Sequence, residues 1–117
     1  MEAGGIAHET RFDGVRVRYD SDKSYDELLA ALLADIGHDP VPIGEIATDC
    51  GDWQTYAQRV QSHVGLSGFM LFALLDHGGW IIKAGIDRKV MRVVLGNPLI
   101  AVTMLRHDVT AGLFAPV

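Results

Sequence analysis

Only one cysteine, Cys50, occurs in the chain, so no disulfide can form within it, and a reducing compartment, the cytoplasm, is the expected location. Long apolar runs are missing too. The longest, Phe69–Leu75, is far short of the roughly 20 residues that cross a bilayer. Met1–Thr10 lacks the basic and apolar regions of a signal peptide, so neither secretion nor a membrane partner is expected. Lysine and arginine are scarce, 10 against 15 acids, and no basic block occurs. A net charge of −5 repels phosphate backbones, which argues against nucleic acid as a partner.

The motifs of common chemistries are also lacking. Ser67 precedes Gly68 but stands outside a Gly-x-Ser-x-Gly elbow, and Gly78-Gly79 has no lysine at phosphate-loop spacing. Cys50 has Asp49 and Asp52 for neighbours, a setting that blunts a thiol nucleophile. His8, His38, His63, His77 and His107 form no i, i+4 pair and have no Cys-x-x-Cys companion, so no metal site is expected. Haem has only Met104, His107 and His77 to recommend it, without an attachment motif, and Met104 is more simply a core residue. No cofactor is assigned.

What is present describes an ordinary globular domain. The 117 residues are 49% apolar and 21% charged, enough to bury a core without metal or disulfide. Charge is divided unevenly: residues 1–52 hold twelve acids and four bases, residues 53–117 three acids and six bases. The halves, at −8 and +3, attract each other within one fold, and the basic half could also favour a small anion.

Residues 1–13 are expected to be a flexible leader, with residues 14–117 a single domain. Val15, Val17 and Tyr19 alternate with Arg16 and Arg18, which predicts a first strand with one buried face. Ser24 and Glu27 form a capping box. The apolar stripe Tyr25, Leu28, Leu29, Leu32, Leu33 and Ile36 then predicts a helix that packs on the sheet and ends at Gly37. Proline, glycine and aspartate from His38 to Asp52 predict a long loop. Asp52 caps a second helix bearing Trp53, Tyr56, Ala57, Val60 and Val64 on one face and closing at Gly65. The run Phe69–Leu75 reads as a central strand buried on both faces, ending in a turn at Asp76-His77-Gly78-Gly79. Trp80–Ala84 is compatible with a hairpin continuation or a short helix, and we favour the helix.

Val90–Leu95 is a further strand by its β-branched content, and Gly96-Asn97-Pro98 turns it into a helix, with Asn97 as cap and Pro98 at the first position. That helix, to about Arg106, carries one polar side chain, Thr103, before its end. No face suits water, which predicts burial on more than one side. A turn at Asp108 and an edge strand from Leu113 follow. The fold class expected is α+β, a two-layer, mostly antiparallel sheet with strands near Val15, Phe69, Val90 and the C-terminus and helices chiefly on one face.

Asp76-His77, Gly96-Asn97-Pro98 and Gly112-Leu113-Phe114-Ala115-Pro116 together make the chain resemble, from about Val15 onwards, the bacterial family catalogued as domain of unknown function 302. The resemblance implies a small α+β domain that tends to dimerise, with family features falling on Asp76, His77, Asn97, Pro98, Gly112 and Pro116. Some members carry cysteines where this chain has Gly96 and Val117, so thiol chemistry does not transfer.

The candidate ligand-binding residues are His77, Arg92 and Asn97. His77 ends the most apolar strand and is the candidate catalytic residue, as general acid or base, though a turn histidine bonded to backbone fits equally well. Asp76, one residue before it on a strand, points to the opposite face and is badly placed to orient it. Arg92 and the N-terminus of the Pro98 helix suit a small anion, unless Arg92 pairs with an acid and Asn97 satisfies the helix end. We expect a non-catalytic homodimeric module binding a small ligand, an anion among the options, or a partner. The alternative is a small enzyme using His77 on an anionic substrate held near Arg92. The Pro98 helix is expected at or next to the dimer interface, with Leu99 or Val102 outermost.

Overall fold

A computed structural model describes residues 4–113. Residues 4–24 contain no helix or strand. Helix α1 spans Tyr25–Ile36, α2 Ile43–Asp49 and α3 Trp53–Gln61. Strand β1 (Met70–Asp76) is followed by the one-turn helix α4 (Gly78–Ile81), which tightens into a 3-10 turn at Ile82–Ala84. Strand β2 (Met91–Gly96) then leads into α5 (Pro98–Leu105), and a 3-10 segment covers Val109–Leu113. The fold is α+β.

Helices α1, α3 and α5 start where the sequence places a cap. Ser24 Oγ accepts from the Glu27 N–H at 3.1 Å, and Asp52 Oδ1 from Thr55 at 2.7 Å. Gly37 ends α1 with φ +104°, a left-handed conformation that side chains resist. The loop expected over 38–52 is corrected: it contains α2. Pro42 stands at the N-cap position of that helix, and Ile43 and Ile46, three apart, fall on its inner face. Burial of Ile46 favours helix where composition alone suggests loop.

β1 and β2 pair antiparallel, from Met70 opposite Gly96 to Asp76 opposite Met91, with an irregularity between Leu71 and Ala73 that leaves Phe72 outside the register. β1 is not the doubly buried strand expected. Met70 and Leu71 are buried, but Leu75 and Asp76 are exposed, and among the described residues the backbone hydrogen bond that reaches the strand from outside the hairpin comes from the Val41 N–H, which donates to Leu71 O at 2.9 Å. The sheet therefore has two strands among the described residues. Val15, Val17 and Tyr19, expected as a strand, are exposed and pair with none of the described residues; period two creates strand competence, but a strand exists only beside another. The expected C-terminal strand lies almost wholly outside the described residues.

The core gathers at one end of the hairpin. Ile46 from α2, Val60 from α3 and Met70 from β1 pack together, with Tyr56, Val64, Phe72 and Leu99 around them. α1 packs nearby through the fully covered Ile36, while Leu28 stays exposed. Its end is held by the Ser67 N–H, which donates to Asp35 Oδ1 at 3.0 Å. Residue 65 must be glycine there, because a Cβ would collide with the Asp35 carbonyl. No helix of the described residues is long and apolar enough to cross a membrane.

Candidate functional site

Asn97 is the polar residue buried in this core region, 9% exposed, and both ends of its amide are used. Its Oδ1 accepts from the Leu99 N–H at 2.9 Å, capping α5, while its Nδ2 donates to Gly68 O at 2.9 Å. The second bond ties α5 to the residues that lead into β1. Asn97 is thus a structural clasp, with one amide hydrogen and one Oδ1 lone pair beyond these two bonds.

Beside that clasp, α5 faces α2 and α3 across an open groove of about 820 Å³. Ile43, Trp53, Tyr56, Phe72, Ile100 and Met104 supply its larger apolar walls. Trp53 and Tyr56 stand together with ring centroids 5.6 Å apart. The polar groups on the lining are few: Cys50, Asp52, Asn97 and the Tyr56 phenol. Burial raises the Tyr56 pKa above its ordinary value of 10.0, and the nearby Cys50 adds to this, so the hydroxyl keeps its proton and can donate. Hydrogen bonds from Thr55 hold the Asp52 carboxyl below its ordinary 3.8. No lysine, arginine or histidine lines the groove among the described residues.

The surroundings of Cys50 are less acidic than its sequence neighbours suggest. Arg59, nine residues on, brings Nη1 to 3.8 Å from the Cys50 sulfur and to 3.9 Å from Asp49. Helix α5 also differs from expectation in its outward positions. Leu99 packs on the core and Val102 is half-buried, whereas Ile100 and Met104 are 51% and 44% exposed. Leu99 thus faces the cluster of Ile46, Val60 and Met70, while Ile100 and Met104 line the groove.

His77 and Arg92 belong to the other end of the hairpin. Arg92 is opposite Leu75, two positions from His77 in sequence, whereas Asn97 follows the far end of β2, about 20 Å away at strand rise. The three candidate residues therefore do not form one site. His77 is already helical, with φ −69° and ψ −33°, and starts α4. The indole Nε1–H of Trp80 donates to His77 Nδ1 at 3.0 Å, with the two rings edge to face. Asp76 accepts instead from the Gly79 N–H at 3.1 Å, so Trp80 and not Asp76 orients the imidazole. A neutral imidazole that accepts at Nδ1 carries its proton on Nε2, which makes the free edge of His77 a donor. Arg92 is exposed, and Lys89 is held by Asp26 at 3.3 Å. Among the described residues, no group of three or more His, Cys, Asp and Glu side chains converges.

The molecule is thus a small α+β module with an apolar groove beside an Asn-Pro-started helix. Residues 46–117 match the family described as Domain of unknown function DUF302, and the chain belongs to that family. The match begins within α2, at Ile46, and runs through α5, a shorter stretch than the resemblance from Val15 onwards, and leaves α1 and the preceding segment outside. No curated protein and no solved structure matches the chain.

The groove was not legible in the sequence. Composition places Ile43 in a loop, and Trp53 and Tyr56 read only as one face of a helix. The signal that could have found the site is the pairing of aromatic residues at i and i+3 directly after a cap, Asp52-Trp53-Gln54-Thr55-Tyr56, opposite a helix with no polar face.

Proposed function

We propose that this chain is a non-catalytic, homodimeric binding module whose ligand is a small, mainly apolar molecule held in the groove between α5 and the α2–α3 pair. The observation that carries this reading is the groove itself. Its volume of about 820 Å³ lies within the range of small-molecule sites, and aromatic walls with a few convergent polar groups are their usual composition. The Tyr56 hydroxyl is the natural donor to a carbonyl or hydroxyl on such a ligand. An anion is disfavoured here, because among the described residues Asp52 is the charged group on the lining and no cation lines it. The exposed apolar surface of Ile100 and Met104 supports a partner next to α5.

The alternative, an enzyme using His77 as general base on an anion near Arg92, has less support. Its Nδ1 lone pair is taken by Trp80 and its Nε2 carries a proton, so base catalysis would first have to break the Trp80 bond.

Thermal-shift screening with uncharged apolar compounds, followed by titration of tryptophan fluorescence, tests the reading. A ligand at 100 times its Kd should stabilise the fold by about 2.7 kcal/mol. Binding should be lost in Ile100→Asp and kept in His77→Ala. A hit that is chemically consumed, or one that binds Ile100→Asp unchanged, would sink the reading.

A further inference from the structure

The segment ahead of α1 has the pattern of a strand and none of its pairing. Val15, Val17 and Tyr19 are 89%, 62% and 92% exposed, although they are the apolar half of a strict alternation. The hydrogen bond found within residues 4–20 is local, from Arg18 Nε to Asp20 at 2.9 Å, and among the described residues none ties this arm to the rest of the molecule. Meanwhile β2 pairs with β1 along one side, and no hydrogen bond from any other described residue reaches its outer edge. A two-stranded sheet is marginal by itself, and an open apolar edge is a template for another strand.

We propose that the arm of one chain, residues 15–20, pairs antiparallel with the outer edge of β2 in a second copy, and that the exchange is reciprocal. This rests on the homodimer reading above and names its contact. Arm and edge are both six residues long. Directly opposed residues share a face, so the apolar set Val15, Val17, Tyr19 must meet Met91, Val93 and Leu95, leaving two close registers. Tyr19 opposite Met91 would set Arg18 against Arg92. Tyr19 opposite Val93 sets Asp20 against Arg92 and Val17 against Leu95, and this register pairs opposite charges instead of like ones. It also brings Val15 opposite Asn97, placing the start of α5 next to the contact.

The arm's root favours a two-fold arrangement. Lys89, just before β2, bonds Asp26 at 3.3 Å and lies 5.6 Å from the centre of the Tyr25 ring, so the start of α1 sits at the start of β2. Arm and receiving edge therefore leave one corner of the molecule, and a two-fold axis near that corner lets both arms cross at once. Closed exchange of this kind covers both arms and both edges without a new interface design.

The test uses full-length chains with Cys50→Ser, one carrying Asp20→Cys and the other Arg92→Cys, produced together with distinguishable tags. Mild oxidation should link unlike chains into a covalent dimer, and neither variant alone should cross-link in this way. If a chain carrying both Asp20→Cys and Arg92→Cys instead closes a disulfide within itself and the mixture gives none, the arm lies on its own edge and the proposal is overturned. A dimer by light scattering with no disulfide in either preparation overturns the arm exchange while leaving the homodimer standing; a monomer at micromolar concentration ends both. Should Arg92→Cys disturb folding, Val17→Asp on the exposed arm serves instead: conversion to monomer is expected, and an unchanged dimer refutes the proposal.

Discussion

At the scale of single residues, stability at the groove hangs on Asn97. Replacing it with alanine removes a cap worth about 1 kcal/mol and strands the Gly68 carbonyl, whose lost bond adds a similar amount. Asn97→Ala should therefore unfold in urea with about 2 kcal/mol less stability. Asn97→Asp should recover only the cap, since a carboxylate cannot donate to Gly68. Three carboxylates, Asp35 half-buried and Asp52 and Asp108 exposed, set the acid response. Asp35, held mainly by hydrogen bonds from Ser67, Asp52 by those from Thr55, and Asp108 by those from Thr110 all lie below their ordinary 3.8. Their folded values are depressed, so the stability they contribute is present above 3.8 and is lost as pH falls through the folded values. Urea midpoints should decline below that pH, and Asp35→Asn should shallow the decline. An acid limb identical to that of the unmodified protein would remove Asp35 from this account.

Among the elements, two joints decide the arrangement. The first is between α1 and the turn before β1, where Gly65 lets the chain pass against the Asp35 carbonyl. Gly65→Ala should push α1 off its seat at a cost of about 1–3 kcal/mol, by overpacking. Loss of Ser67 amide protection in hydrogen exchange would show the joint open, whereas unchanged protection would mean the helix end can shift without cost. The second joint is the small core where α2, α3 and β1 meet. Val60 and Met70 are both 0% exposed, and few other residues are as well covered. Met70→Ala should cost about 2–5 kcal/mol. In a core this small that is enough to broaden or abolish the thermal transition, and a sharp transition within a few degrees of the parent would place the core elsewhere.

For the whole molecule, the groove and the arm are separable. Removing residues 1–20 touches none of the core side chains and leaves the groove lining complete, so the shortened chain should still melt cooperatively and bind the same apolar compounds. Loss of binding along with the arm would tie the two together. Much of the molecule is a local matter and was readable in one dimension. Ser24, Asp52 and Asn97 cap helices by contacts reaching two or three residues along the chain. The hydrophobic periods of α1 and α3 and the β-branched run of β2 are of the same kind, because caps and periods depend on near neighbours alone. What tertiary structure decided is everything that needs a distant partner. A period-two segment at Val15 became no strand because none of the described residues lies beside it as a strand, and a proline-rich stretch became α2 because Ile46 found Val60 and Met70. His77, Arg92 and Asn97, near in sequence, were drawn to opposite ends of an antiparallel hairpin. The groove joins Ile43 to Met104 across some sixty residues, and its walls exist only once α5 is seated by the bond from Asn97 to Gly68.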